Sequence, residues 1–355
     1  MPKRPPLSLM ERITFPLRVF QIAYVLLWAI LKAPFRGHDG PPTFRRYLAY
    51  TLMRTNVEIF SLNQCHALFP DLLGSYLEFA EEQGFEPDVV EVGPGTIGCW
   101  IGDKTAKTTL VWFHGGGYAL TVNKGHMEFL SSLVSMAGSG LAAIILQHDV
   151  LPGGTYPRQL QQASAIVRHL TQDAGKSYSD LLIGGDSAGG HLALSLLSHL
   201  SFPHNKVPRL KNDGQSFKGL ILVSPWVTFD QSAQSFTDNA RKDSLSSQAV
   251  KKWSKMFMGS SPVDPYNTPL DAFDIWWKDA PVERVLILAG GDEVFRDDIQ
   301  HFARKFKTWN RNKTELFVSP GECHNSPIAE RQVGIYREAG GMEIKIQQWI
   351  LDRVF

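Results

Sequence analysis

Cysteine is scarce in this sequence: Cys65, Cys99 and Cys323 are the only three in 355 residues, odd in number and widely spaced. No C-x-x-C pair occurs, which excludes a disulfide framework and a cysteine zinc site and points to a reducing compartment. A charge excess is missing too. The 36 basic and 35 acidic residues leave a formal net charge of +1, so no broad field exists to gather nucleic acid, and that class of partner is excluded. Internal repeats and low-complexity tracts are absent. A secretory leader is not expected, because no small-residue cleavage site follows the first apolar run. The sequon Asn312-Lys313-Thr314 would matter only on the secretory route.

That apolar run is the one membrane question the chain raises. Val19 to Leu31 is apolar apart from Gln21 and is shorter than the roughly 20 residues a spanning helix needs. Lys3, Arg4 and Arg12 precede it and Lys32 and Arg36 follow it, and if Arg18 and Lys32 snorkel, residues 13–35 become long enough. The segment is therefore expected either to pack on the body of the protein or to associate with a membrane surface. The corresponding location is the cytoplasm, or a membrane on its cytoplasmic or endoplasmic-reticulum side.

What is present reads as an ordinary soluble protein, 43% hydrophobic and 20% charged, with room for a sizeable core. Residues 1–85 carry the apolar run and polar-apolar helices such as Asp71 to Gln83. From Val89 strands and helices alternate, which predicts an α/β domain over 86–355, its sheet mostly parallel and covered on both faces. Eight strands are expected: Val89–Val92, Cys99–Ile101, Thr109–Phe113, Ala142–Gln147, Leu181–Ile183, Leu220–Val223, Val285–Ala289 and Thr314–Val318. Helices are expected at Lys124–Ala137, Pro157–Thr171, Ser187–Leu200, Asp297–Trp309 and Met342–Val354. Residues 226–280 interrupt the alternation with a helix over Gln248–Phe257 and with Trp253, Phe257, Trp276 and Trp277. Lying after a strand's carboxyl end, where such sheets bind ligands, this insertion reads as a lid.

The chemistry is concentrated in two glycine-rich turns. Leu181-Leu182-Ile183 runs into Gly185-Asp186-Ser187-Ala188-Gly189, a G-x-S-x-G pattern, and an apolar helix follows. In that context the serine sits on a strained strand-to-helix turn that lifts its hydroxyl above the sheet, beside helix amides that lack partners. Upstream, Leu110-Val111-Trp112-Phe113 leads into His114-Gly115-Gly116-Gly117-Tyr118. Such a glycine run lets backbone amides face a ligand, and the expected oxyanion donors are Gly115, Gly116 and Ala188. His114 is expected to brace the loop.

Together, HGGGY at 114–118, GDSAGG at 185–190 and the later acid and histidine segments resemble the hormone-sensitive-lipase branch of the α/β-hydrolase superfamily. Gln147 to Leu160 is similar to the fungal steryl-acetyl-hydrolase-like subset, many of whose members act in secondary metabolism. The resemblance covers about 89–355. It implies the α/β-hydrolase fold, a helical cap made from the N-terminal residues with 226–280, and a triad in the chain order serine, acid, histidine. After the seventh strand come Asp292, Glu293, Asp297 and Asp298. Laying the family's D-P-L-R-D segment on Arg296-Asp297 assigns Glu293, with Asp292 as the alternative. Asp297 and Asp298 are explained by a helix N-terminus. His324, after the eighth strand, is the implied base, and Cys323 beside it is read as packing.

The function so implied is serine hydrolysis of a carboxylic ester, acetyl or another acyl, on a lipophilic small molecule, without metal or other cofactor. A fungal secondary-metabolite pathway is the implied setting. Two alternatives stay open at this point: a biosynthetic enzyme that releases, transfers or condenses a polyketide-derived intermediate, and a silent ligand-binding protein on the same fold. Oligomeric state is not legible.

Overall fold

The computed structural model describes residues 6–37 and 40–355, and Lys3, Arg4 and His38 lie outside these. Eight strands form one sheet: β1 (Val89–Gly93), β2 (Thr96–Ile101), β3 (Thr108–Phe113), β4 (Leu141–Gln147), β5 (Leu181–Asp186), β6 (Gly219–Val223), β7 (Val285–Gly290) and β8 (Thr314–Ser319). Their spatial order is β1-β2-β4-β3-β5-β6-β7-β8. β2 is antiparallel to both of its neighbours, and the pairs from β4 to β8 are all parallel. The central strands β3, β5, β6 and β7 are buried at every residue, which is why they read as unbroken apolar runs.

All eight expected strands are present, each a little longer than its expected run, with β2 and β5 extended most. β2 starts at Thr96, which pairs with Gly93 of β1 across a tight hairpin. β5 continues through Gly184, Gly185 and Asp186, where turn residues had marked an end. A side chain at Gly184 would stand 2.7 Å from the Trp112 ring on the neighbouring strand, so glycine here serves close packing inside the sheet.

The helices before the sheet are α1 (Leu9–Lys32), α2 (Phe44–Ile59), α3 (Leu62–Leu68) and α4 (Leu72–Gln83). Those that follow are α5 (Lys124–Ala137), α6 (Arg158–Arg168), α7 (Ala188–Ser201), α8 (Ser235–Asp238), α9 (Ser247–Met258), α10 (Arg296–Asn310), α11 (Ser326–Gln332) and α12 (Gly341–Val354). One core, with α6, α7 and α10, covers one sheet face, and a second, with α4, α5 and α12, covers the other. α7 is buried from Ala188 to Leu200 because the sheet lies on one side of it and the 226–280 insertion on the other.

α1 starts on a capping box in which Ser8 and Glu11 satisfy each other's backbone amides. One stripe fastens it to the body: the Glu11 carboxylate accepts from Ser61 Oγ at 2.7 Å, Arg18 donates to Gln64 Oε1 at 2.6 Å, and Ile22 and Ala29 are buried. Phe15 stacks on Phe60 with centroids 5.3 Å apart. The opposite face exposes Leu17, Phe20, Tyr24, Leu27, Trp28 and Leu31. Leu9–Phe35 has the length and composition to cross a membrane, with 11% of its most apolar stretch buried.

Candidate active site

Ser187 occupies the turn between β5 and α7 with φ 53° and ψ −116°, a left-handed conformation rare for a side-chain-bearing residue. The glycines two residues either side allow it. A Cβ on Gly189 would overlap the Phe113 carbonyl at the end of β3, and one on Gly185 would lie 2.7 Å from the same oxygen. The backbone is pinned as well, since Ser187 donates to the Val223 carbonyl at 2.9 Å and its own carbonyl accepts from Trp226 at 3.0 Å.

The structure brings three of the expected side chains together from distant parts of the chain. His324 Nε2 lies 2.9 Å from Ser187 Oγ. On the far side of the imidazole, Nδ1 faces Glu293 Oε2 across 3.8 Å, longer than a hydrogen bond. Neither His324 Nδ1 nor Glu293 Oε1 has a hydrogen-bond partner among the described residues. Glu293 Oε2 accepts from Ser224 Oγ at 2.5 Å and from the Gly290 amide at 3.0 Å. Burial pushes the imidazole down to about 4, which keeps it neutral and able to take a proton. Glu293 is fully buried, and this burial, followed by the nearby Asp243 carboxylate, pushes its pKa well up against the pull of Ser224 and Gly290. Asp292 stands apart: it is partly exposed and faces Lys242 Nζ at 4.0 Å.

The oxyanion loop corrects one expectation. The Gly115 amide donates to Asp186 Oδ1 at 3.0 Å, so it is already committed and cannot serve as a free donor. Gly116 and Gly117 have amides without a partner among the described residues, and both line the cavity above Ser187. The backbone at both is left-handed, φ 100° and 62°, a conformation that glycine adopts at no steric cost. Ala188 is the first residue of α7, so its amide has no intrahelical acceptor. His114 braces the loop as expected, stacked on His148 with centroids 4.0 Å apart and bonded to the Gly115 carbonyl at 2.8 Å.

Two buried carboxylates escaped the sequence reading. Asp186, inside the serine motif, accepts from Trp112 Nε1 at 3.1 Å, Gly115 N at 3.0 Å and Asn325 Nδ2 at 2.8 Å, and faces His126 Nε2 at 3.3 Å. It thus ties the glycine loop to the histidine loop. Its place beside the serine was the available signal. Asp243, in the insertion, accepts from the His324, Ser244 and Val294 amides, and nothing in its local sequence distinguishes it. Cys323 packs in a buried cluster with Ala49, Tyr50 and Ala329, and burial pushes its thiol up.

Above Ser187 is a cavity of about 390 Å³ at the carboxyl ends of the strands. Phe60 and Val57 line it from the N-terminal helices, Val250 and Trp253 from the insertion, and Phe295 from the acid loop. No group of three or more metal-ligating side chains occurs among the described residues.

An eight-stranded sheet of this order, with a serine at the β5–α7 turn, an acid after β7 and a histidine after β8, defines an α/β-hydrolase. The chain belongs to that family: the alpha/beta hydrolase fold family matches residues 110–327. Relatives include a putative steryl acetyl hydrolase of Schizosaccharomyces pombe, 27% identical over 55% of this chain, and steryl acetyl hydrolase 1 of Saccharomyces cerevisiae, 26% identical over 57%. The matches span only about half of those relatives' own length, 53% and 49%. An acetyl-hydrolase of Streptomyces hygroscopicus is 27% identical over 59% of this chain and 66% of its own length. Among solved structures, an esterase of the bacterial hormone-sensitive lipase family superposes with a TM-score of 0.64 at 22% identity, over 93% of this chain and 98% of that one. This last likeness is one of fold.

Proposed function

We propose that the protein is a serine hydrolase that cleaves a carboxylic ester, acetyl or another short acyl, of a lipophilic small molecule. The observation that carries this reading is the 2.9 Å approach of His324 Nε2 to Ser187 Oγ at a strained turn beside unpartnered amides. The hydroxyl donates its proton to the neutral imidazole as Oγ attacks the acyl carbon, and the imidazolium formed faces the Glu293 carboxylate. The Gly116, Gly117 and Ala188 amides receive the oxyanion. His324 then protonates the leaving alcohol, and water repeats the cycle on the acyl-enzyme. This chemistry draws on no metal or other cofactor.

The aromatic and aliphatic lining supports a lipophilic substrate, and the names of the fungal relatives support an acetyl ester. The finer assignment, to a fungal secondary-metabolite pathway, rests on the resemblance of residues 147–160. Residues 1–85 and 226–280 act as the cap, since both supply walls of the cavity. α1 associates in the plane of a membrane surface on the cytoplasmic or endoplasmic-reticulum side. Its support is the exposed apolar face, while fastenings at Glu11, Arg18, Ile22 and Ala29 hold the helix along the body.

The test is turnover of a panel of acetyl esters graded in alcohol size, together with fluorophosphonate labelling. Expected are labelling at Ser187, preference for apolar alcohols, and free acid and alcohol as products, all lost in Ser187→Ala. Absence of labelling in folded protein would favour the silent binding module. A condensed or transferred product would favour the biosynthetic reading.

A further inference from the structure

We infer that Asp243 is a positioning residue of this site: its carboxylate ties the loop that carries Glu293 and the loop that carries His324 to one buried point, with Arg54 as counter-charge. The inference rests on the serine-hydrolase reading above. Asp243 is fully buried. Its Oδ1 accepts from the His324 amide at 2.8 Å and the Ser244 amide at 2.7 Å, while Oδ2 accepts from the Val294 amide, next to Glu293, at 2.8 Å. Three backbone donors and no acceptor converge on it, a set that suits an ionised carboxylate; a neutral amide would turn an N–H toward another N–H.

The anchor itself is held from the N-terminal helices. Arg54 on α2 donates through Nη1 to the Asp243 carbonyl, and Ser246 Oγ, three residues on, donates to Glu58 of α2 at 2.7 Å. The groups that face Asp243 are Arg54 from α2, Glu293 from the loop after β7, and Cys323 and His324 from the loop after β8. Burial raises the Asp243 carboxyl to about 6 against the pull of the Val294, His324 and Ser244 amides and, after them, of Arg54. As a like charge Asp243 raises Glu293 in turn. The residue thus acts on the site in two ways, by setting where the base and acid stand and by setting when the acid ionises.

The experiment compares Asp243→Asn with the wild-type full chain in ester turnover across the acid limb and in the rate of Ser187 labelling by a fluorophosphonate. Expected are a roughly 10- to 100-fold loss of kcat with KM within about twofold, and an acid limb displaced to lower pH as Glu293 loses its like-charged neighbour. Labelling, which needs no particular ester, slows in parallel. A variant that loses thermal stability alone, with kcat, labelling rate and acid limb as in wild type, overturns the inference. If Asp243→Asn does not fold, Arg54→Met keeps the carboxylate and removes its cation; the acid limb then moves up, and an unmoved limb overturns the inference. Failure of the hydrolase reading looks different: wild type and Ser187→Ala then turn over esters equally.

Discussion

Ser187 is held in a backbone conformation that costs of order 1–3 kcal/mol, and the residues around it supply that cost through bonds to Val223 and Trp226 and through glycines that leave room for β3. The titrating side chains beside it give opposed shifts. His324, lowered to about 4, stays neutral well into acid, while Glu293, raised by burial, takes up a proton first as pH falls. On the proposed mechanism, activity is therefore expected to decline with falling pH as Glu293 takes up its proton, ahead of His324. Glu293→Gln is expected to lower kcat roughly 1,000- to 10,000-fold and to move the acid limb down toward the histidine value, which a pH–rate profile of the residual activity checks. Asp186 acts by contact. Asp186→Asn leaves donors from Gly115, Asn325 and Trp112 competing for one carbonyl, and is expected to cost about 2–4 kcal/mol in denaturant unfolding along with a fall in kcat.

Between elements, the loops of the site are set by what stands behind them. α11 follows the histidine loop and is locked to α12 by Arg331, whose guanidinium meets both Glu343 oxygens at 2.8 and 2.7 Å in a buried, two-bonded pair. Glu343→Gln breaks the pair and leaves a buried cation. A destabilisation of about 3–5 kcal/mol is expected, seen as a lower denaturant midpoint at unchanged slope. The glycine loop is backed instead by the insertion: a side chain on Gly117 would overlap the Trp253 indole of α9. Gly117→Ala must push α9 outward or turn its own amide away from Ser187. A kcat loss of about 100-fold is expected, the cost of one oxyanion donor.

At the scale of the whole molecule, α1 turns its apolar face outward while its other face is fastened to the body, so the proposed membrane surface would meet a helix that also belongs to the fold. Phe20 and Trp28 are 73% and 45% exposed, and neither lines the cavity. Burying side chains of this kind yields about 1.5–3 kcal/mol each. Phe20→Glu with Trp28→Glu is therefore expected to lower co-sedimentation with anionic phospholipid vesicles more than ~10-fold, while turnover of a water-soluble ester stays within about twofold. Equal sedimentation of variant and wild type would remove the membrane surface from the account.

Local chemistry alone marked the strand count, the serine turn and the glycine loop, because each rests on residues near one another in the chain, whereas the histidine after the last strand came with the family resemblance. Apolar runs must become buried strands, and G-x-S-x-G has a steric meaning wherever a strand meets a helix. Tertiary structure alone decided which amides remain free. Gly115 and Gly116 are alike in sequence, yet one is taken by Asp186, 71 residues away. It likewise turned Glu293 to His324 and Asp292 to Lys242, although the two carboxylates are adjacent. Asp243 lies farther still from local reading, 81 residues from the histidine it holds. A buried carboxylate is defined by the donors that converge on it, and those are known only once the chain has closed.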